Sequence, residues 1–279
     1  MDDARAEHAH HVRASIPGAD VSVPAALVLS RVVKAYRAGV PGCSAIVDVL
    51  AGVSLTLGVG ELATIEGSRG AGKSTLLLCA AGLLRPDAGE VRWPSLASRG
   101  ATPAGISYAA NRAPAHGLLT VREALAWGGT VHEAGGRGSA RRTDELLVLS
   151  GLSDHASVRQ ALLGAAERER VLLALALVAS PRLLLVDDLV GGDHAAGRAA
   201  FAQCLARVAA SGTAVLWATT VSAPATGPHA AYRLAAGRIA RGRASAARRE
   251  RAGGDGQAGV GSRSARPPRP ASSFPATLR

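Results

Sequence analysis

At 279 residues, 48% of them hydrophobic, the chain is long enough to bury a sizeable core, which excludes disorder throughout. Aromatic residues make up only 3%, so the core must be built from Ala, Leu and Val, and a large aromatic recognition surface is excluded. The net charge of +11 does not mark the body as a nucleic-acid binder, because ten arginines against Glu250 and Asp255 between Arg238 and Arg279 carry +8 of it.

Residues 1–25, opening "MDDARAEHAHHVRAS", form a polar leader without the apolar core of a secretory signal. His8, His10 and His11 are metal-capable, but a polar terminus offers them no fixed geometry. From "ALVLSRVVKAY" to "GVSLTLGVGELATIEG", β-branched and Leu-rich segments broken by Gly and Pro predict several short strands. The loop "GSRGAGKS", residues 67–74, comes next, followed by a helix in "KSTLLLCAAGLL" that Gly82 or Pro86 closes. In "TVREALAWGG", Thr120 as N-cap with Glu123 three positions on is a capping box that starts a helix. Further helices are predicted at about 143–149 and over 165–179, the second stopped by Pro181. "RLLLVDD" is a continuous apolar run ending in acids, the pattern of a buried parallel strand, and "TAVLWATT" and "AYRLAAGRIA" supply two more strands. Strands alternating with helices give an α/β fold without an internal repeat. Residues 244–279, rich in Arg, Gly, Pro and Ser, have the composition of a disordered tail, with contact to anionic lipid as its candidate role.

Two absences bound the setting. Cys43, Cys79 and Cys204 are too widely spaced for a disulfide framework or a metal cluster, which fits reduced thiols in a cytosolic protein. "VLLALALVAS" is the beginning of an apolar run, but Pro181 and Arg182 stop it well short of a membrane span.

The chemistry is concentrated in the loop. Gly67, Gly72, Lys73 and Ser74 meet the spacing G-x-x-x-x-G-K-[ST], with Ser68, Arg69, Gly70 and Ala71 between them. Glycines let backbone N–H groups turn inward on phosphate oxygens at a helix N-terminus, Lys73 adds a point charge for the β and γ phosphates, and Ser74 is a Mg²⁺ ligand. The chain has only two lysines, Lys34 and Lys73, so this placement is specific. The metal also needs an acid at the end of an apolar strand, and "LLLVDD" offers Asp187 with Asp188 beside it. A GTPase would need an Asn-Lys-x-Asp reader, yet the single asparagine, Asn111, precedes Arg112.

From about residue 28 to 243 the order of features resembles the ATP-binding subunit of ABC transporters. The likeness runs through "GVSLTLGVGELATIEGSRGAGKSTLLLCAAGLLRPDAGEVRW", "ISYAANRAPAHGLLTVREAL" and "LLVLSGLSDHASVRQALLGAAERERVLLALALVASPRLLLVDD" to the closing "YRLAAGRIA". The stretch "YRAGVPGCSAIVDVLAGVSL" resembles exporter-type subunits that work with lipoprotein or macrolide permeases. The resemblance implies a P-loop NTPase with a RecA-like core, an N-terminal antiparallel β subdomain and an inserted α-helical subdomain at about 112–165, within a cassette of 26–243. It also implies ATP and Mg²⁺ as ligands, a second ATP-binding subunit and a transmembrane permease as partners, no specific nucleic acid, and a place on the cytoplasmic face of the membrane.

Carried over by position, Tyr36 is the aromatic residue that stacks on adenine, and Asn111 stands where the family has a glutamine that ligates Mg²⁺ and faces the permease. The signature L-S-G-G-E aligns with Leu163, Gly164, Ala165, Ala166 and Glu167, which removes the serine hydroxyl and puts methyl groups where glycines admit phosphate. The glutamate that orients attacking water aligns with Asp188, one methylene shorter. Thr220 stands in for the switch histidine, and His194, with Asp193 one place off, for the D-loop aspartate. These departures predict ATP binding with slow or absent turnover. A non-catalytic nucleotide-binding module of the same fold therefore stays open beside the transporter motor. A DNA-repair or translation ATPase would need a coiled-coil insertion or a second cassette, and the chain has neither.

Overall fold

A computed structural model describes residues 24–40, 43–96, 103–110, 117–132, 139–190, 192, 194–222 and 228–242. They all fall in the first of two contact-defined units, which ends at Ser245. The three N-terminal histidines, Asn111, Asp193 and the arginine-rich tail lie outside the described residues.

The N-terminal segments form two long strands rather than several short ones. Strand β1 (Ala25–Val40) and strand β2 (Cys43–Gly58) make a 16-by-16-residue antiparallel hairpin, and β4 (Ala88–Arg92) pairs with the other side of β1. A bulge absorbs what the sequence suggests is a break: the register shifts between Leu29 and Val32, where Arg31 sits at φ 49° and its N–H donates to Ser54 Oγ at 2.9 Å. Glycine is obligatory opposite, since a Cβ on Gly89 would meet the Arg31 carbonyl oxygen at 2.3 Å.

The second sheet has six strands in the order β5 (Ile106–Ala110), β6 (Leu183–Asp187), β7 (Ala214–Thr219), β3 (Leu62–Glu66), β8 (Ala230–Ala235) and β9 (Arg238–Arg241). All neighbours are parallel except β8 and β9. "AYRLAAGRIA" is thus a hairpin, not one strand; Ala236 at φ 46° and Gly237 at φ 70° make its two-residue turn, the conformation that matches strand twist.

Strand alternation splits the core in two. Leu184, Val186, Val215 and Trp217 join a cluster with α2 (Val121–His132), α3 (Ser139–Ser150), α4 (Ala165–Leu177) and α5 (Ala195–Ala210). Leu183, Leu185, Leu216 and Ala218 point to the other face, against α1 (Lys73–Ala80) and the long hairpin. Both β6 and β7 are buried along their whole length, as their unbroken apolar runs require. The capping box at α2 forms as predicted: Thr120 N–H donates to Glu123 Oε2 at 2.8 Å, and Glu123 N–H to Thr120 Oγ1 at 3.2 Å. Among the described residues no helix is long and apolar enough to cross a membrane.

Candidate functional site

Three neighbouring strands, β6, β7 and β3, deliver the site at their carboxyl ends. Past Glu66, Gly67 N–H donates to the Thr219 carbonyl at 3.2 Å, which ties the start of the loop to the end of β7. Gly70 and Gly72 have φ of 79° and 96°, and Gly72 is the N-cap of α1. Crowding adds to conformation as the reason for glycine here, because a Cβ would meet the Leu234 carbonyl at 2.6 Å from Gly67 and the Val49 carbonyl at 2.8 Å from Gly72.

Lys73 folds back over its own loop. Its Nζ donates to the carbonyls of Gly67 and Ser68, both at 2.8 Å, and the residue is 6% exposed. Burial holds its ammonium below the usual lysine range, against the pull of the Asp188 and Asp187 carboxylates and with a smaller contribution from Arg69. A desolvated ammonium at a helix N-terminus is poised for an anion. Ser74, in the first turn of α1, is exposed beside it.

Asp187 closes β6 in register with Ala110 and Ala218. Tyr108 donates its hydroxyl to Asp187 Oδ2 at 2.6 Å, whereas Oδ1 is buried without a hydrogen-bond partner among the described residues. A buried carboxylate oxygen in that condition calls for a further donor or a cation, so the acid fits the role of holding Mg²⁺ or its water. Tyr108 is a site residue that sequence reasoning missed; the signal was a single aromatic in "ISYAA", two places before the strand ends level with the acid.

Asp188 sits at φ 54°, with its N–H on the Ala218 carbonyl at 3.0 Å. The Thr220 hydroxyl donates to its Oδ1 at 3.1 Å, so the two residues that the resemblance aligns with a glutamate and a histidine meet directly, through a neutral donor. Tyr36 is exposed on β1, with Lys34 Nζ 5.9 Å from its ring centroid, and pairs across the hairpin with Val47. Val47 is two residues from Val49, the residue that closes on Gly72.

The segment 163–167 is built differently. Leu163 is buried, Gly164 is an exposed N-cap in extended conformation, and α4 begins at Ala165. The Glu167 carboxylate lies back over Gly164, where a Cβ would collide with it. Ala166 meets Gly192 of its own chain: a Cβ there would come within 3.0 Å of the Ala166 Cβ. His194 is the exposed N-cap of α5. The structure therefore brings residues 67–74, Asp187, Asp188 and Thr220 together and sets Ala166 against Gly192.

Residues 50–190 match the family model described as ABC transporter. The zinc import ATP-binding protein ZnuC of Paramagnetospirillum magneticum is 44% identical over 154 residues, which are 54% of this chain and 53% of the relative. The chain thus spans about half the length of that relative. It spans more of the lipoprotein-releasing system ATP-binding protein LolD of Ruegeria sp., 36% identical over 200 residues, 67% of this chain and 85% of the relative. The dimeric structure of the bacterial ABC transporter cassette MJ0796 shares the fold, with a TM-score of 0.64, 23% identity, and 76% of this chain and 96% of that one covered. With a glycine loop, a strand-end acid pair and these likenesses in agreement, the chain belongs to the ABC transporter family.

Proposed function

We propose that this chain is an ATP-binding subunit that binds Mg-ATP to drive or gate a separate membrane permease on the cytoplasmic face, with hydrolysis weakened. The observation that carries ATP binding is the combination of a sterically enforced glycine loop, a buried Lys73 and the unpartnered Asp187 Oδ1. In this reading Tyr36 faces the base, the N–H groups of residues 67–74 and Lys73 hold the phosphates, and Ser74 and Asp187 hold Mg²⁺, with Asn111 as a further ligand. Bound Mg²⁺ supplies charge neutralisation on the β and γ phosphates. Asp188 is the candidate base. Thr220 and the one-methylene loss support slow turnover, because the hydroxyl engages one carboxylate oxygen that a water must otherwise reach.

Membership of the ABC transporter family supports a permease as partner, and the dimeric neighbour supports a second ATP-binding subunit, homologous or identical. In such a pair residues 163–167 would face the nucleotide of the other copy, with Ala165 and Gly164 lacking the serine hydroxyl. Specific nucleic-acid binding has no support in the charge distribution. Arginines in the tail supply charge for anionic lipid, and liposome binding equal to that of a chain ending at Arg243 removes this element.

A second reading, a non-catalytic nucleotide-binding module, is favoured by the Asp188 and Thr220 pairing. Steady-state Mg-ATP turnover beside a Lys73→Ala control, with binding checked in both, separates the two. Turnover that depends on Lys73 establishes the motor; ATP bound and not cleaved establishes the module; absence of ATP binding overturns both.

A further inference from the structure

The loop that follows β6 is held from two sides, and one of them is a buried carboxyl side chain that the site described above does not use. Asp188 N–H is bonded to β7 at Ala218, and the Leu189 carbonyl accepts from Trp217 Nε1 at 2.7 Å, with Leu189 fully buried. These bonds fix the loop to the sheet. On the opposite side Val190 N–H donates to Glu169 Oε2 at 2.8 Å, across 21 residues of sequence. Glu169 lies in the second turn of α4, the helix that begins within the segment 163–167, and is only 8% exposed. A second contact lies close by, where Ala166 of the same helix meets Gly192.

A glutamate on a buried helical face is expensive to keep unless it does something a neutral apolar residue cannot. Here its carboxylate accepts a backbone N–H that no helix or sheet ladder serves, and it does so two residues after Asp188. We propose that Glu169 is a positioning residue, tying α4 to the loop that carries Asp188 so that the helix and the candidate base move as one body. Combined with the dimeric arrangement under the proposed function, on which this consequence rests, the tie gives residues 163–167 of each copy a mechanical connection to the base of the same copy. Occupancy of one composite site is then felt at the other through α4. Glu169 touches neither nucleotide nor water in this scheme; it acts through Val190.

Amide hydrogen exchange tests the tie without any nucleotide. In the full chain, Glu169→Ala removes the acceptor and Glu169→Gln keeps one. The expected result is exchange at residues 188–190 faster by roughly 10- to 100-fold in Glu169→Ala, near wild type in Glu169→Gln, and unchanged at residues 67–80. Mg-ATP affinity of both variants should stay within about threefold of wild type, because the phosphate loop is untouched. In wild type, Mg-ATP should slow exchange at 188–190, and this protection should be lost in Glu169→Ala and kept in Glu169→Gln. Should Glu169→Ala fail to fold, Glu169→Leu fills the volume without an acceptor and carries the same test. Unchanged exchange at 188–190, or equal acceleration across the sheet and α1, overturns the tie. Local acceleration in a wild-type background that binds no ATP leaves the tie standing and removes the nucleotide reading instead.

Discussion

Residues 67–74 and residues 163–167 each lead a chain into a helix N-terminus, and the two are built to different standards. At the first, Gly72 is held at φ 96° with the Val49 carbonyl against it, and Lys73 is pinned by two carbonyls. At the second, Gly164 has φ −67° and ψ 171°, a conformation any residue adopts, and only the movable end of Glu167 stands over it. The first loop is dictated by packing within this chain. In the second, Leu163 is buried and Ala166 packs on Gly192, but Gly164 itself is not dictated by its conformation and can change without harm to the fold.

Substitutions sharpen that contrast. Gly72→Val should destabilise by about 3 kcal/mol, combining left-handed strain with the clash on Val49; a urea midpoint unchanged within error would show that the loop has slack. Lys73→Ala should leave the fold intact and weaken Mg-ATP by roughly 10- to 100-fold in calorimetry, the worth of a lost charge-assisted contact. Thr220→Val should cost at most about 1 kcal/mol of stability, and by freeing Asp188 it should alter turnover while leaving the ATP Kd alone. Gly164→Ser, by contrast with Gly72→Val, should gain a few tenths of a kcal/mol, roughly the advantage of serine at an N-cap; a loss comparable to that of Gly72→Val would break the comparison.

The smallest effect is a pH dependence. Burial lowers the folded-state pKa of Lys73 below its ordinary 10.5, so between the two values the unfolded chain binds the extra proton. Stability due to this group therefore rises as pH climbs through the folded value toward 10.5, and is at its lowest below it. Subtracting the pH profile of Lys73→Met from that of wild type isolates the rise; a flat or falling difference contradicts the burial described.

What the sequence disclosed follows the same division. The glycine loop, the acid pair, the capping box at Thr120 and the buried strands β6 and β7 were legible, because each is a local pattern with one physical solution. Strand lengths in the hairpin were not: Gly52 at φ 86° and the bulge at Arg31 look like breaks in one dimension and are absorbed by pairing in three. Helix α5 escaped notice because alanines dilute the stripe of Phe201, Cys204, Leu205 and Val208 that it buries in the core, with Phe201 against Trp217. Tyr108 and Glu169 were hidden for a different reason, since their partners lie 79 and 21 residues away and no spacing rule links them. The contact of Ala166 with Gly192 was equally hidden, because no spacing rule links the start of α4 to the loop after β6.

The Val49 carbonyl has one more meaning. It stands 2.8 Å from where a Cβ of Gly72 would be and 3.1 Å from that of Gly237, while the N–H of neighbouring Ala51 is bonded to the Gly237 carbonyl. The middle of β2 thus seats both the phosphate loop and the turn that joins the last two strands, so a substitution at Val49 or Ala51 is felt at both.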